Sequence, residues 1–316
     1  MGKTITLQGA PGTAEVYSKA VGAMLPVIGK PARVRADATI PDRNYRLENV
    51  RVDADKLHAY TRVTGQRFGA TLPLTYPFVL QFPLAMKVMT DNDFPFGAVG
   101  SVHVENSIHR LRPIGIDEPL TIDTHAENLR EHRKGLLIDM VSQISVGSEL
   151  VTTQVATFLK QQRTSLSDEP RGPEPKQTTP PPPDSVLSVD LGRIRQYAEA
   201  SGDRNPIHMS NLSAKAFGFP KAIAHGMWSA AAAVANVEAQ LPDDVTYSVR
   251  FGKPILLPAK VNLYTRRIDG AGAASGPSAS GAGSAASGPS ASGSFDISIL
   301  NRRKGYPHLT ATTRGA

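Results

Sequence analysis

The sequence has no cysteine among its 316 residues. Disulfides, Cys-ligated zinc, iron–sulfur clusters and thiol nucleophiles are therefore excluded, and a reducing compartment suits the chain. Aromatic residues are sparse, at 6%. No apolar run reaches the roughly 18 residues that a bilayer-spanning helix needs, and no cleavable apolar leader stands at the start. The expected location is the cytoplasm. There is also no block of charge of one sign. Lys and Arg number 35 against 28 Asp and Glu, a formal net charge of +7, but the cations are scattered and do not alternate with aromatics. A nucleic-acid partner is therefore not expected, whereas phosphorylated or acidic ligands suit a mildly basic surface. No G-x-G-x-x-G follows a strand-like segment and no Walker A motif occurs, which speaks against nucleotide redox chemistry and phosphoryl transfer.

Hydrophobic residues, at 40%, supply ample core for about two domains. Two low-complexity stretches punctuate the chain. The first, from Glu169 through Thr179 into Pro180–Pro183, reads as an extended connector, because proline neither continues a helix nor donates to a sheet ladder. The second, 270–294, is almost entirely Gly, Ala, Ser and Pro, and its segment Ala273–Gly281 recurs word for word from Ala285. It buries almost nothing and is expected to be a disordered, expanded hairpin loop.

The two halves resemble each other. Asp53 opens an amphipathic segment carrying Leu57, Tyr60 and Val63 before Gly65, and Asp190 opens one carrying Leu191, Ile194, Tyr197 and Ala198 before Gly202. In both, Asp stands where an N-cap is wanted and Gly where a helix ends. Arg112-Pro113-Ile114 also matches Lys253-Pro254-Ile255. Each half then has an apolar helix candidate, Thr75–Met89 and Gly226–Leu241, followed by alternating strand segments such as 245–251, 136–146 and 150–158. The expected fold class is α+β, with a buried helix wrapped by an antiparallel sheet, present twice. The expected organisation is an N-terminal repeat over 1–165, a linker over 166–185 and a C-terminal repeat over 186–316.

One stretch could carry chemistry: Tyr197-Ala198-Glu199-Ala200-Ser201-Gly202-Asp203-Arg204-Asn205-Pro206-Ile207-His208. Pro206 stiffens a turn that holds an Asp and a His five positions apart, as acid–base catalysis requires. Spacing alone leaves a second reading open, in which Asp203 caps the turn and His208 satisfies a buried carbonyl. A weaker candidate is His103, Glu105 and His109 on a strand over 101–108. They could share a face as metal ligands, but polar outward faces of antiparallel strands look the same, and no metal is expected. His225 could simply pack or cap at a helix start.

The stretch resembles the signature of the MaoC-like, or hydratase-2, family of (R)-specific enoyl-thioester hydratases, and Ala224-His225-Gly226-Met227 resembles the family's segment at the start of the central hotdog helix. The long, two-repeat form with a degenerate first half is similar to the actinobacterial 3-hydroxyacyl-thioester dehydratases. The resemblance implies a double-hotdog fold and reversible dehydration of (R)-3-hydroxyacyl thioesters to trans-2-enoyl thioesters. It also implies that Asp203 and His208 form the acid–base pair, that the Gly226 N–H stabilises the thioester oxyanion, and that Asn205 orients the water or the pair. No cofactor is implied. Coenzyme A or a carrier protein's pantetheine is the handle on the substrate, with Arg204, Arg250 and Lys253 as candidate phosphate contacts. The first half has Gln66 where Asp203 aligns and lacks the His. Its Pro83 should kink or shorten the helix, which could open an acyl-chain groove. The chain is expected to act as a monomeric pseudo-dimer or a homodimer. Two rival functions are a non-catalytic acyl-thioester or carrier-protein binding module and a hotdog thioesterase.

Overall fold

The computed structural model describes residues 2–12, 34–96, 100–169, 179–268 and 293–315. Residues 170–178 of the proline-rich connector and 269–292 of the low-complexity loop lie outside the described residues.

Among the described residues, eleven strands form a single sheet in the order β1-β2-β4-β5-β6-β3-β8-β11-β10-β9-β7. They are β1 Lys3–Thr6, β2 Arg43–Val50, β3 Ser101–Arg110, β4 Leu120–His132, β5 Gly135–Val146, β6 Glu149–Gln161, β7 Ser185–Val189, β8 Val245–Phe251, β9 Ala259–Arg267, β10 Phe295–Asn301 and β11 Pro307–Gly315. Apart from the short edge strand β1, the order reads the same from either end when β2 to β6 are exchanged for β7 to β11. The centre of this palindrome is the antiparallel pairing of β3 with β8, where Ser107 lies opposite Ser248. Two copies of one fold thus share a continuous sheet. Joining them through β3 and β8 pairs two strand edges that each copy alone would leave open.

The helices follow the same duplication. Helix α1 (Ala54–Thr64) is capped by Asp53, whose carboxylate accepts from the Asp55 and Lys56 N–H groups, and α3 (Leu191–Ser201) by Asp190, which accepts from Arg193. Both end on a left-handed glycine, Gly65 at φ 81° and Gly202 at φ 77°, a conformation that costs a side-chain-bearing residue strain. Across the pseudo-twofold axis the buried rings of Tyr60 and Tyr197 approach to 5.8 Å. The chain before each central helix is tied to the matching tripeptide: Leu72 donates to the Ile114 carbonyl at 2.8 Å, and Ala224 to that of Ile255 at 3.0 Å.

The central helices depart from expectation in two ways. Helix α2 (Tyr76–Met89) runs through Pro83 for 14 residues, so the proline removes one N–H donor without shortening the helix. The second central helix, α6 (Gly226–Val234), stops before the expected Leu241, and the chain continues into a 3₁₀ turn at Glu238–Gln240. Helix α6 is buried on almost every face. Its Trp228 donates from Nε1 to the Val63 carbonyl of α1 at 3.0 Å, locking the second repeat's central helix to the first repeat.

Candidate active site

Two short helices, α4 (Pro206–Met209) and α5 (Asn211–Ala216), follow Gly202 and present the candidate residues to the start of α6. The turn is self-bracing. The Asp203 carboxylate accepts from the Asn205 N–H at 3.1 Å, and Asn205 Oδ1 caps α4 by accepting from the Ile207 N–H at 3.3 Å. His208 is buried, and its Nδ1 meets the Ile223 carbonyl at 2.8 Å. A carbonyl only accepts, so Nδ1 carries the proton and a neutral His208 keeps its lone pair on Nε2. The structural duties that spacing alone allowed are therefore real, but each occupies only part of its side chain.

His225 is the third member of the cluster, and its role was not legible in the sequence. Although it is the N-cap residue of α6, its side chain makes no capping bond. Its Nε2 instead donates to the Asp203 carbonyl at 3.0 Å and lies 3.8 Å from the Asp203 carboxylate, while its ring sits 3.7 Å from that of His208. Donor atoms of Asp203, His208 and His225 lie within 4.8 Å of one another, a spacing that a metal ion would also tolerate. Hydrogen bonding to carbonyls commits one ring nitrogen of each histidine to carrying a proton, leaving one lone pair apiece.

Electrostatics keeps both imidazoles neutral. Burial lowers the His208 pKa against the opposing pull of Asp203. Burial, reinforced by His208, takes His225 down to about 3. In the unfolded chain these histidines take up protons near pH ~6.5, whereas the folded state excludes them. The folded protein thus binds fewer protons below that pH, and its stability falls as pH drops from ~6.5 towards the depressed pKa values, by up to about 1.4 kcal/mol per pH unit for each. The urea midpoint is expected to be clearly lower at pH 5 than at pH 7, before most carboxylates titrate; equal midpoints would contradict neutral burial.

The cluster opens into one cavity of about 270 Å³. At one end stand the candidate residues Asp203, Asn205, His208, His225 and Gly226. The wall beyond is apolar and comes from the other repeat, with Phe78, Phe82, Met86 and Met89 of α2 and Phe158 of β6. At the entry of α6 the first backbone N–H groups have no intrahelical partners. A Cβ added to Gly226 would lie 3.1 Å from the Phe251 ring, so the glycine is what lets the helix start and that ring pack together.

Comparison with known proteins agrees with this architecture. The family model described as "MaoC like domain" matches residues 165–275. The chain is 48% identical over 276 residues to 3-hydroxyacyl-thioester dehydratase X of Mycobacterium tuberculosis, covering 87% of this chain and 90% of that protein. The solved structure of HtdX from the same organism superposes with a TM-score of 0.72 at 44% identity, over 87% of this chain and 100% of that one. The chain belongs to the MaoC-like dehydratase family. A MaoC-like dehydratase from Phytophthora capsici shares the fold at 17% identity, with a TM-score of 0.64 over 90% of this chain and 98% of that one.

In this MaoC-like dehydratase the candidate cations are dispersed. Lys253 lies at the cavity, with its ammonium 4.7 Å from the centre of the Tyr306 ring. Arg204 is exposed beside the site. Arg250 is tied to Glu105 at 3.0 Å on the outer face of the sheet and does not line the cavity. The candidate metal face on β3 is not assembled either. His103 pairs with Phe158 and Glu105 with Thr157, so Val104 is an extra residue that breaks the strand alternation. Glu105 turns to Arg250, His109 to Asp244 at 2.9 Å, and His103 into the cavity.

The matching place in the first repeat is sealed. Gln66, aligned with Asp203, donates to Glu238 at 3.0 Å and accepts from Thr75 at 2.7 Å, and Thr75 also bonds the Tyr60 hydroxyl at 2.8 Å. The Glu238 carboxylate, raised in pKa by burial, accepts from the Leu74 N–H at 2.9 Å. A residue from beyond α6 of the second repeat thus occupies the place in the first repeat that corresponds to the candidate site.

Proposed function

We propose that this dehydratase interconverts (R)-3-hydroxyacyl thioesters and trans-2-enoyl thioesters, with one active site at Asp203 and His208. The observation that carries this reading is the neutral, buried His208 beside the Asp203 carboxylate, in a cavity with an apolar wall and next to the start of α6. Elimination takes one proton from C2 and gives one to the C3 hydroxyl. A neutral imidazole next to a carboxylate can hold that single proton between the two events: the proton removed from C2 leaves with the hydroxyl as water, and the pair returns to its starting charge. Both groups lie on one side of the cavity, which suits loss of both substituents from one face of the substrate. As the C2 proton departs, charge builds on the thioester oxygen, and the Gly226 N–H at the positive end of α6 is the donor for it. The steps need acid–base chemistry alone, without a metal or redox cofactor. Asn205 acts by capping α4 and so fixing the angle of His208.

The apolar wall formed by Phe78, Phe82, Met86 and Met89 of α2 gives the non-catalytic repeat its role, as the bed for an acyl chain. The carrier end of the substrate meets the mouth at Lys253. The adjoining β10–β11 turn, linked to it through Tyr306, exposes Arg302, Arg303 and Lys304. These cations suit the phosphates of coenzyme A or of a carrier-protein arm. Lys253→Ala is expected to raise KM several-fold with kcat little changed, and added salt should raise the wild-type KM in the same sense. A lowered kcat at unchanged KM would contradict that role.

Gly226→Ala probes the oxyanion donor. Alanine favours a helix over glycine, so propensity predicts no loss of stability. The new methyl must displace Phe251 or the helix start, and kcat is expected to fall by roughly one to two orders of magnitude at near-native Tm. Unchanged kcat would remove the helix start from the mechanism.

A further inference from the structure

Among the polar side chains of the acyl channel that the mechanism does not use, one is held between aromatic rings. His103 comes from β3 of the non-catalytic repeat and lines the same cavity as Asp203 and His208. The β-bulge at Val104 re-aims it: without the extra residue, β3 would hold a regular alternation and the ring would keep step with Glu105. The imidazole is packed on three sides by aromatic rings. It stacks on Phe158 at 4.8 Å and on Phe78 at 5.7 Å, and meets Phe251 edge-on at 5.0 Å. Its Nε2 is buried and has no hydrogen-bond partner among the described residues. Burial takes its pKa down to about 4, opposed by hydrogen bonding to the Glu105 backbone, by the charge of Asp203 and, least, by the neighbouring Asn106 side chain, whose own Nδ2 is also left without a partner, so at neutral pH the ring is uncharged.

An apolar chain alone would not call for this arrangement. A phenylalanine would fill the gap between three aromatic rings without the cost of a buried, unpaired nitrogen. The bulge adds no stability here either, since it interrupts the β3–β6 ladder. Both features make chemical sense if the partner of Nε2 arrives with the substrate. Phe251 fixes where that partner lies, because the same ring contacts His103 on one side and the Gly226 position on the other. His103 is therefore one ring away from the Gly226 end of the site, which in the dehydratase reading sets it beside the part of the acyl chain just beyond the reacting carbons.

We propose that His103 is a specificity-determining residue that recognises an acyl chain bearing a hydrogen-bonding oxygen, a hydroxyl or a carbonyl, a few carbons beyond C3. This inference rests on the dehydratase reading and goes beyond it by naming the substrate class. A site built to bond such an oxygen discriminates against the plain chain, because the plain chain leaves the buried nitrogen unpaired.

The test compares trans-2-decenoyl-coenzyme A with analogues carrying one hydroxyl or one keto oxygen at C4, C5 or C6. Loss of the enoyl absorbance is followed for the wild type and for His103→Phe. The wild type is expected to prefer one oxygenated analogue by about tenfold or more in kcat/KM, and in His103→Phe the ratio is expected to collapse to near one. The ratio within one preparation does not depend on how much of the variant is folded. A wild type that favours no oxygenated analogue, or a variant that keeps the preference, overturns the inference while leaving the dehydratase reading intact. Bleaching of none of the compounds by the wild type would remove that reading, and this inference with it.

Discussion

His208→Gln and Asp203→Asn are each expected to lower kcat by about a thousandfold or more, within the range that a positioned acid or base supplies. Both changes are close to isosteric and leave the structural half of each residue in place. In Asp203→Asn the carboxamide oxygen can still accept from the Asn205 N–H, and in His208→Gln the side-chain amide can still donate to the Ile223 carbonyl, bonds that span 3.1 Å and 2.8 Å in the wild type. What the variants lose is the ability to take and return a proton. The defect should therefore fall on kcat with Tm nearly unchanged, and the double variant should be little worse than either single one, because the two groups act as a unit. Its pH dependence follows from the same geometry. With the His208 pKa lowered by burial, the neutral form persists below the ordinary histidine range, so wild-type activity should hold at mildly acidic pH and fall only as the imidazole protonates. If either single variant retained near wild-type turnover, that residue would not belong to the proton-transfer pair.

Trp228→Ala is expected to produce the largest loss of stability of any single change considered. The side chain is 1% exposed, sits at the centre of the core, and supplies the hydrogen bond from α6 to the Val63 carbonyl of the first repeat. Truncation leaves a cavity and a buried carbonyl without its donor, at a cost of about 3–5 kcal/mol. Trp228→Phe keeps most of the volume and removes the N–H, and should cost about 1–3 kcal/mol. Urea unfolding distinguishes the two contributions. A loss below about 1 kcal/mol for the alanine variant would mean that the two repeats are not coupled through this side chain.

Where information was local, the sequence revealed it. The duplicated Asp-to-Gly helices announce themselves because an N-cap and a left-handed C-cap have few chemical solutions, and the palindromic sheet follows from repeating one unit. Asp203 and His208 stood out as a candidate pair because a proline turn holds them five positions apart, although spacing alone left a structural reading open, and Gly226 came in only through the resemblance to the MaoC-like family. The channel was only partly legible. Pro83 suggested an acyl-chain groove through a broken helix; α2 is instead continuous, and its Phe78, Phe82, Met86 and Met89 line the cavity. His103 was misdirected by strand alternation, since a single extra residue at Val104 reverses which way the following side chains face. Glu238 left no signal in its own neighbourhood. Its partners, Gln66 and Leu74, lie in the other repeat, more than 160 residues away in the chain, and the early end of α6 that lets it reach them is a tertiary effect.

The most direct measurement is to incubate the wild-type protein with a trans-2-enoyl-coenzyme A, follow the conjugated enoyl absorbance, and determine the configuration of the product with a thiol reagent present. The expected result is that the absorbance falls, that no free thiol appears, and that the product is the (R)-3-hydroxyacyl thioester, with the Asp203→Asn protein silent in parallel. Release of thiol without hydration, an (S) product, or binding of the thioester by folded protein with no change in absorbance would contradict it.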